Sequence, residues 1–152
     1  MEIRVLAVGK LKPALREAAD DYLRRLRRYA DVTEIEIREA GTAPTAAEAR
    51  RQEGARLRER LPARCHLVAL DREGRGWSSE DLAAHLDRWR LAGRLVTLVI
   101  GGSHGLEPAF VAGADQRWSL GPITLPHQLA RVIVAEQLYR AWTILRGEPY
   151  HK

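Results

Sequence analysis

The sequence predicts a single α/β domain with a mainly parallel sheet flanked by helices, spanning residues 1–152. Three observations predict it. Strand-like and helix-like stretches alternate along the whole chain, the pattern of βαβ units. Leu95–Ile100 is a continuous apolar run rich in Val and Ile, as strands covered on both faces of a parallel sheet read. At 152 residues, with no internal repeat, low-complexity tract or long linker, nothing divides the chain.

Ile3–Val8 alternates sufficiently to be a strand, and Gly9 ends it. Pro13 suits the first turn of a helix running to about Tyr29, with Leu15, Ala18, Ala19, Tyr22, Leu23 and Leu26 at helical spacing. Val32–Ile37 reads as a second strand with one wet face. A Gly/Thr/Pro loop follows at 41–45. Thr45-Ala46-Ala47-Glu48 matches a capping box, so a helix starts there and runs to Leu61, where Pro62 stops it.

Cys65–Leu70 is a short apolar strand, and Asp71–Trp77 reads as a polar, glycine-bearing loop. Ser78-Ser79-Glu80-Asp81 is a second capping box, opening a helix to about Leu91 that Gly93 closes. After the strand Leu95–Ile100 come the turn Gly101-Gly102-Ser103-His104-Gly105 and a short helix from about Glu107. Gln116–Leu120 reads as the last strand. Pro126 opens a long helix to about Arg146, and Gly147–Lys152 is the tail.

The formal net charge is +5, and nearly every basic residue is arginine, whose planar fork suits phosphate and stacks on bases. That balance points to an anionic partner such as nucleic acid. Many arginines alternate with acids and read as solvated helix faces. Arg24, Arg25, Arg27 and Arg28 form the densest cluster and are the better phosphate candidates. The lone Cys65 cannot form an intrachain disulfide and reads as a buried strand residue, which fits a reducing, cytoplasmic setting. The first apolar run is too short for a signal peptide, and no run approaches a membrane span. No H-E-x-x-H, paired cysteines or G-x-S-x-G is present, and the histidines lack metal-ligand spacing, so zinc and serine hydrolases are excluded and no metal is expected.

Four features carry candidate chemistry. The glycine turn 101–105 follows a buried strand, where ligands of open α/β sheets sit, and glycines let backbone amides approach a ligand closely. It is neither a dinucleotide fingerprint nor a phosphate-cradling loop, and taken alone it serves equally well as a tight strand-to-helix turn. Trp118–His127 is so poor in charge that something must cover it, either a ligand such as an adenine or ordinary core packing. The helix after Pro126 is apolar on most sides and needs covering on most sides, which a two-fold dimer would do. On its polar stripe Glu136 and Arg140 sit at i, i+4. On a helix surface that pair is worth about 0.3–0.5 kcal/mol; in partly buried surroundings Arg140 could hold or polarise an anion. Finally, Tyr150 and His151 pair a base-stacking ring with a group that titrates near neutrality, although terminal residues usually fray.

Taken in order, Leu6-Ala7-Val8-Gly9-Lys10, Ile100-Gly101-Gly102-Ser103-His104-Gly105-Leu106, Ser119-Leu120, Thr124-Leu125-Pro126-His127, Arg131-Val132, Glu136-Gln137-Leu138-Tyr139-Arg140-Ala141 and Tyr150-His151-Lys152 resemble the ribosomal large-subunit pseudouridine N3-methyltransferase family of the SPOUT superfamily, over essentially the whole chain. The resemblance implies a C-terminal trefoil knot, a homodimer with each cofactor pocket near the subunit interface, and methylation by S-adenosylmethionine of N3 of a pseudouridine in a helix-end loop of 23S rRNA in the assembled ribosome. Carried onto matching positions, it implies an adenosylmethionine pocket of Leu70, Gly101, Leu120, Gly121, Pro122, Ile123, Thr124 and Leu125, with Gly102 shaping the floor. Many relatives have serine where this chain has Gly121, so a hydroxyl contact is absent there, and Pro122 adds rigidity.

The catalytic expectation follows from chemistry. N3 of pseudouridine must lose an imide proton, and His151 is the candidate base. Tyr150 would position or stack the nucleobase, Arg140 would stabilise charge developing on the flanking carbonyl oxygens, and Glu136 would orient Arg140. Two rivals are a non-catalytic ribosome-binding protein and a nucleotide-dependent oxidoreductase; the latter lacks a first-strand fingerprint.

Overall fold

The computed structural model describes all of residues 1–152. Ten elements follow one another: β1 Glu2–Val8, α1 Pro13–Leu26, β2 Asp31–Ile37, α2 Ala46–Arg60, β3 His66–Gly76, α3 Ser79–Leu91, β4 Val96–Ile100, α4 Pro108–Ala112, β5 Gln116–Ser119 and α5 His127–Arg146. The five strands form one sheet in the order β2-β1-β4-β3-β5, and every pairing is parallel.

Strand periodicity sorts the core into two layers. Ile3, Val5 and Ala7 of β1 face Leu23 and Leu26 of α1, Leu82, Leu86 and Trp89 of α3, and Val134, Leu138 and Trp142 of α5. The intervening Leu6 and Val8 face the opposite way, toward Leu57 of α2 and Phe110 of α4. All five residues of β4 are buried, as its unbroken apolar run requires of a strand covered on both faces.

Local signals set the helix starts. The Ser78 hydroxyl accepts from Asp81 N, and the Asp81 carboxylate accepts from Ser78 N, a complete capping box. At Thr45 only half of the box forms. Its hydroxyl accepts from Glu48 N at 3.1 Å, while the Glu48 carboxylate turns to Arg51 and Gln52. Helix α1 ends at Leu26, with the last of its spaced apolar residues, rather than at about Tyr29.

The stretch 71–77 departs most from expectation. Strand β3 continues through it to Gly76, because Leu70 and Arg75 both pair with Trp118 of β5 and the residues between them bulge out. Asp71 pins this bulge, accepting from Arg117 Nε at 2.8 Å and from Nη2 at 2.5 Å. Polar composition is what bulges and loops share, so the sequence reads as a loop. Cys65 is half-buried and lies just before β3 rather than within it.

Helix α5 lies against both α1 and α3. Val134, Leu138, Ala141 and Trp142 are buried in the single chain, and Val132, Ile133, Ile144 and Leu145 are half-buried. The chain thus covers more of this helix by itself than its composition predicts. Near the start of α5, Ile123 and Leu129 remain exposed, at 70% and 38%.

No helix is long and apolar enough to cross a membrane, and no three His, Cys, Asp or Glu side chains cluster as metal ligands would.

Candidate active site

A cleft of about 900 Å³ opens beyond the carboxyl ends of β3, β4 and β5, where ligands of open α/β sheets bind. Its walls come from three stretches: Leu70–Glu73 after the apolar half of β3, Ile100–Leu106 after β4, and Trp118–His127 without Ser119 and Pro122. Arg50 of α2, Pro108 and Ala130 complete it.

The glycine turn is tight. Gly105 N donates to Gly102 O at 3.0 Å, and a Cβ on Gly101 would stand 2.6 Å from the carbonyl carbon of Gly105. Any side chain at Gly101 would therefore push the turn apart. Gly121 has φ of +116°, a backbone that L residues rarely adopt. The Ser119 hydroxyl secures this turn, accepting from Gly121 N and donating to Gly121 O, each at 3.2 Å. A side chain at this position would be strained in this conformation.

Of the eight residues expected to form a cofactor pocket, seven line this cleft: Leu70, Gly101, Leu120, Gly121, Ile123, Thr124 and Leu125. Pro122 does not; it is exposed, its ring outside the cleft wall. Apolar side chains and backbone groups dominate the region around β4 and β5, a surface suited to a flat heteroaromatic ring edged by hydrogen bonds.

The expected catalytic residues lie elsewhere. Arg140 donates to Glu136 Oε1 from Nε at 2.9 Å and from Nη2 at 2.5 Å, and the Tyr150 hydroxyl donates to the same oxygen at 2.9 Å. The Arg140 guanidinium also stands over the Tyr150 ring, 4.8 Å from its centre, a cation–π contact. The hydrogen bonds it donates to Glu136 raise the Arg140 pKa further. Burial, then hydrogen bonds to Tyr22 and Glu136, push the Tyr150 phenol well above its ordinary value, so it stays a neutral donor.

The tail does not fray here. Gly147 caps α5 in the left-handed conformation, with φ of +65°. The Tyr29 hydroxyl donates to Glu148 Oε2 at 2.5 Å, and Tyr150 meets Tyr139 edge-on at 4.7 Å. His151 stands apart from the Glu136 group. Its Nε2 lies 2.8 Å from Glu80 Oε1 at the start of α3, and its buried Nδ1 has no partner.

None of Glu136, Arg140, Tyr150 and His151 lines the cleft. At about 1.5 Å per residue, Arg140 lies roughly 15 Å along α5 from Ala130, the last α5 residue to line the cleft. Seven of the expected cofactor residues share the cleft, and Glu136, Arg140 and Tyr150 share a cluster that His151 does not join; cleft and cluster are not brought together in one chain.

Sequence reading missed one device. Arg131 is 3% exposed and holds α5 to the opposite sheet edge, donating to Glu34 at 2.9 Å, Glu36 at 3.0 Å and the Gly9 carbonyl at 3.0 Å. Burial alone would raise the Glu34 carboxyl. Bonds from Arg131 and Arg16 outweigh it and hold the pKa below the usual range. Among the expected phosphate contacts, Arg24 and Arg25 both pair with Asp21 and Arg27 donates to the Val32 carbonyl at 3.4 Å. Arg28 forms no ion pair.

The model of the predicted SPOUT methyltransferases matches residues 1–151. The ribosomal RNA large subunit methyltransferase H of Pseudomonas aeruginosa PAO1 is 45% identical, with all of both chains covered, and that of Pseudomonas putida W619 is 43% identical over the same extent. Among solved structures, a probable methyltransferase from Bordetella pertussis superposes with a TM-score of 0.56 at 18% identity, covering 92% of this chain and 95% of the other. A probable methylase family protein from Haemophilus influenzae reaches 0.59 at 12% identity, covering 99% and 70%; at such identities the likeness is one of fold. By its full-length match and its relatives, the chain belongs to the SPOUT methyltransferases, within the family of the ribosomal RNA large subunit methyltransferase H proteins.

Proposed function

We propose that this protein is an S-adenosylmethionine-dependent methyltransferase acting on N3 of a pseudouridine in 23S rRNA of the assembled ribosome, in the cytoplasm, as a homodimer with the family's trefoil knot. The observation that carries the reading is that seven of the eight residues expected to hold the cofactor, drawn from three distant stretches of sequence, line one cleft.

The cofactor fits this cleft. Leu70, Leu120, Ile123 and Leu125 offer apolar surface for the adenine faces, and the backbone around Gly101 and Gly121 offers hydrogen-bonding groups for its edge. Bound S-adenosylmethionine supplies the methyl carbon that N3 attacks, its sulfonium leaving as a thioether. His151 accepts the N3 proton on Nδ1, which has no partner and must be uncovered to reach it, while Nε2 keeps its bond to Glu80. Tyr150 stacks on or positions the nucleobase. Arg140, oriented by its bonds to Glu136, stabilises the negative charge developing on the flanking carbonyl oxygens.

The separation of cleft and polar cluster supports a dimer in which the tail of one subunit serves the cleft of the other. Exposed Ile123 and Leu129 beside the cleft give such a partner apolar surface to cover.

A mass map of modified rRNA nucleotides from cells lacking the gene tests the reaction. One methyl group should vanish from a pseudouridine of 23S rRNA and return when the protein is added back; an unchanged map would refute the assignment. Calorimetry separates the enzyme from a non-catalytic ribosome-binding protein, since only the enzyme requires saturable adenosylmethionine binding.

A further inference from the structure

The arginines of this chain divide by whether anything holds them. Most are occupied: Arg117 by Asp71, Arg131 by Glu34 and Glu36, Arg58 by Glu107, and Arg24 and Arg25 by Asp21. Arg28, Arg60, Arg64, Arg94 and Arg146 are exposed and form neither an ion pair nor a hydrogen bond.

The fold gathers these five at one edge. All strands run parallel, so the residues leading into them share the edge opposite the cleft. Arg28 precedes β2, Arg94 precedes β4 and Arg64 precedes β3. Asp31 N donates to Met1 O at 2.9 Å and His66 N to Leu95 O at 2.8 Å, so the leads of neighbouring strands lie side by side. At about 4.8 Å between strands, the leads from β2 to β3 span roughly 14 Å. Arg60 ends α2 and Arg146 ends α5. Arg146, Arg90, Met1 and Tyr29 wall a cavity of about 370 Å³, which places the end of α5 at this same edge.

A basic last turn suits the helix dipole, which explains Arg60 and Arg146. It does not explain Arg64 and Arg94, which lie beyond any helix. Nor do nearby acids balance the charge. Asp87 is bonded by Arg90, Asp115 by Leu67 N and Glu148 by Tyr29. Asp31 and Glu59 are free, too few for five arginines and the Met1 amine.

This edge adjoins the polar cluster of α5. The Tyr29 ring, next in sequence to Arg28, is centred 6.1 Å from Tyr139, and Tyr139 meets Tyr150 at 4.7 Å. An RNA that presents a nucleobase to Tyr150 and Arg140 brings its flanking backbone within reach of Arg28 and Arg146. We propose that this edge is a docking surface for the rRNA backbone, its five arginines holding phosphates beside the target nucleotide. Such contacts fix position and register without reading sequence. The inference rests on the rRNA methyltransferase reading and adds a substrate surface outside both cleft and cluster.

The test uses the full-length protein and ribosomes from cells lacking the gene, measuring methyl transfer and, by sedimentation, binding at several salt concentrations. The double variant Arg64→Gln, Arg94→Gln lies far from the cleft. It should raise the KM for ribosomes about 10-fold, roughly 3-fold for each lost surface pair, and leave kcat and adenosylmethionine affinity within about 2-fold. The slope of log affinity against log salt should shrink by about 1.5, as two phosphate contacts disappear. Lysine at both positions should restore most of the affinity, since phosphate accepts a point charge. An unchanged KM and slope would overturn the proposal. A raised KM with an unchanged slope would assign the edge to a protein partner and overturn it equally. Wild-type protein that neither binds ribosomes nor methylates them would instead refute the rRNA reading.

Discussion

The cleft beyond β4 and the polar cluster on the far part of α5 are built on different principles. Around Gly101 and Gly121 the cleft is mostly backbone and aliphatic side chain, shaped by a turn too tight for a Cβ and by a left-handed φ. The cluster is all side chain: one Glu136 oxygen gathers Arg140 and Tyr150. The first arrangement suits holding a molecule of fixed shape, and the second suits meeting charge as it develops. Their separation along α5 is what the proposed dimer would bridge, bringing the cluster of one subunit to the cleft of the other.

This contrast can be broken by variants, and the largest effect should come from the tail. Truncation after Glu148 removes Tyr150 and His151 without touching the cleft. It should lower methyl transfer by about 10³-fold or more, the scale of losing a base together with its positioning, while adenosylmethionine affinity stays nearly intact. Full activity of the truncated protein would dismiss the tail from the reaction. Arg140→Ala should follow, with kcat falling about 10²-fold, as when one electrostatic donor is lost, and the dissociation constant of the donor unmoved in calorimetry. Gly101→Ala should do the opposite. Its Cβ meets the Gly105 carbonyl carbon at 2.6 Å, so donor binding should weaken about 10-fold or more, and saturating donor should recover much of the rate.

Smaller effects sharpen the same picture through stability. Arg131→Met leaves Glu36 and the Gly9 carbonyl without their buried donor and should cost about 3 kcal/mol in denaturant unfolding. Because Glu34 has a folded pKa below its unfolded one, its contribution is present above the unfolded value and is lost as pH falls through the folded value. Unfolding midpoints should therefore drop below about pH 4, and more steeply in wild type than in Glu34→Gln. Parallel pH curves would show that the network adds nothing.

Local patterns were enough to find most of the fold. The apolar run at 95–100 is the central strand β4, and the box at Ser78–Asp81 starts α3 to the residue. Asp71–Trp77 misled because a bulge pinned by Asp71 and Arg117 has the composition of a loop, and only the pairing of its flanks with Trp118 and Ser119 tells the two apart. Arg131 looked like one more helix arginine, since its partners Glu34 and Glu36 stand nearly a hundred residues earlier. Glu53 is similar: nothing in Arg51-Gln52-Glu53-Gly54 says that its one acid is buried against a turn fifty residues away. The candidate site was legible as two sets of residues. Their distance apart was not, because it depends on how far α5 carries Arg140 from the loop that precedes it.

Mixing two inactive proteins tests the central claim most directly. A Gly101→Val protein, with a larger intrusion than alanine, keeps its polar cluster but loses its cleft; an Arg140→Ala protein keeps its cleft but loses its cluster. If each cleft works with the cluster of the other subunit, co-refolded equal mixtures should recover about a quarter of wild-type methyl transfer, from the one intact site in each mixed dimer. No recovery in verified mixed dimers would contradict the account and place both halves of the site within a single chain.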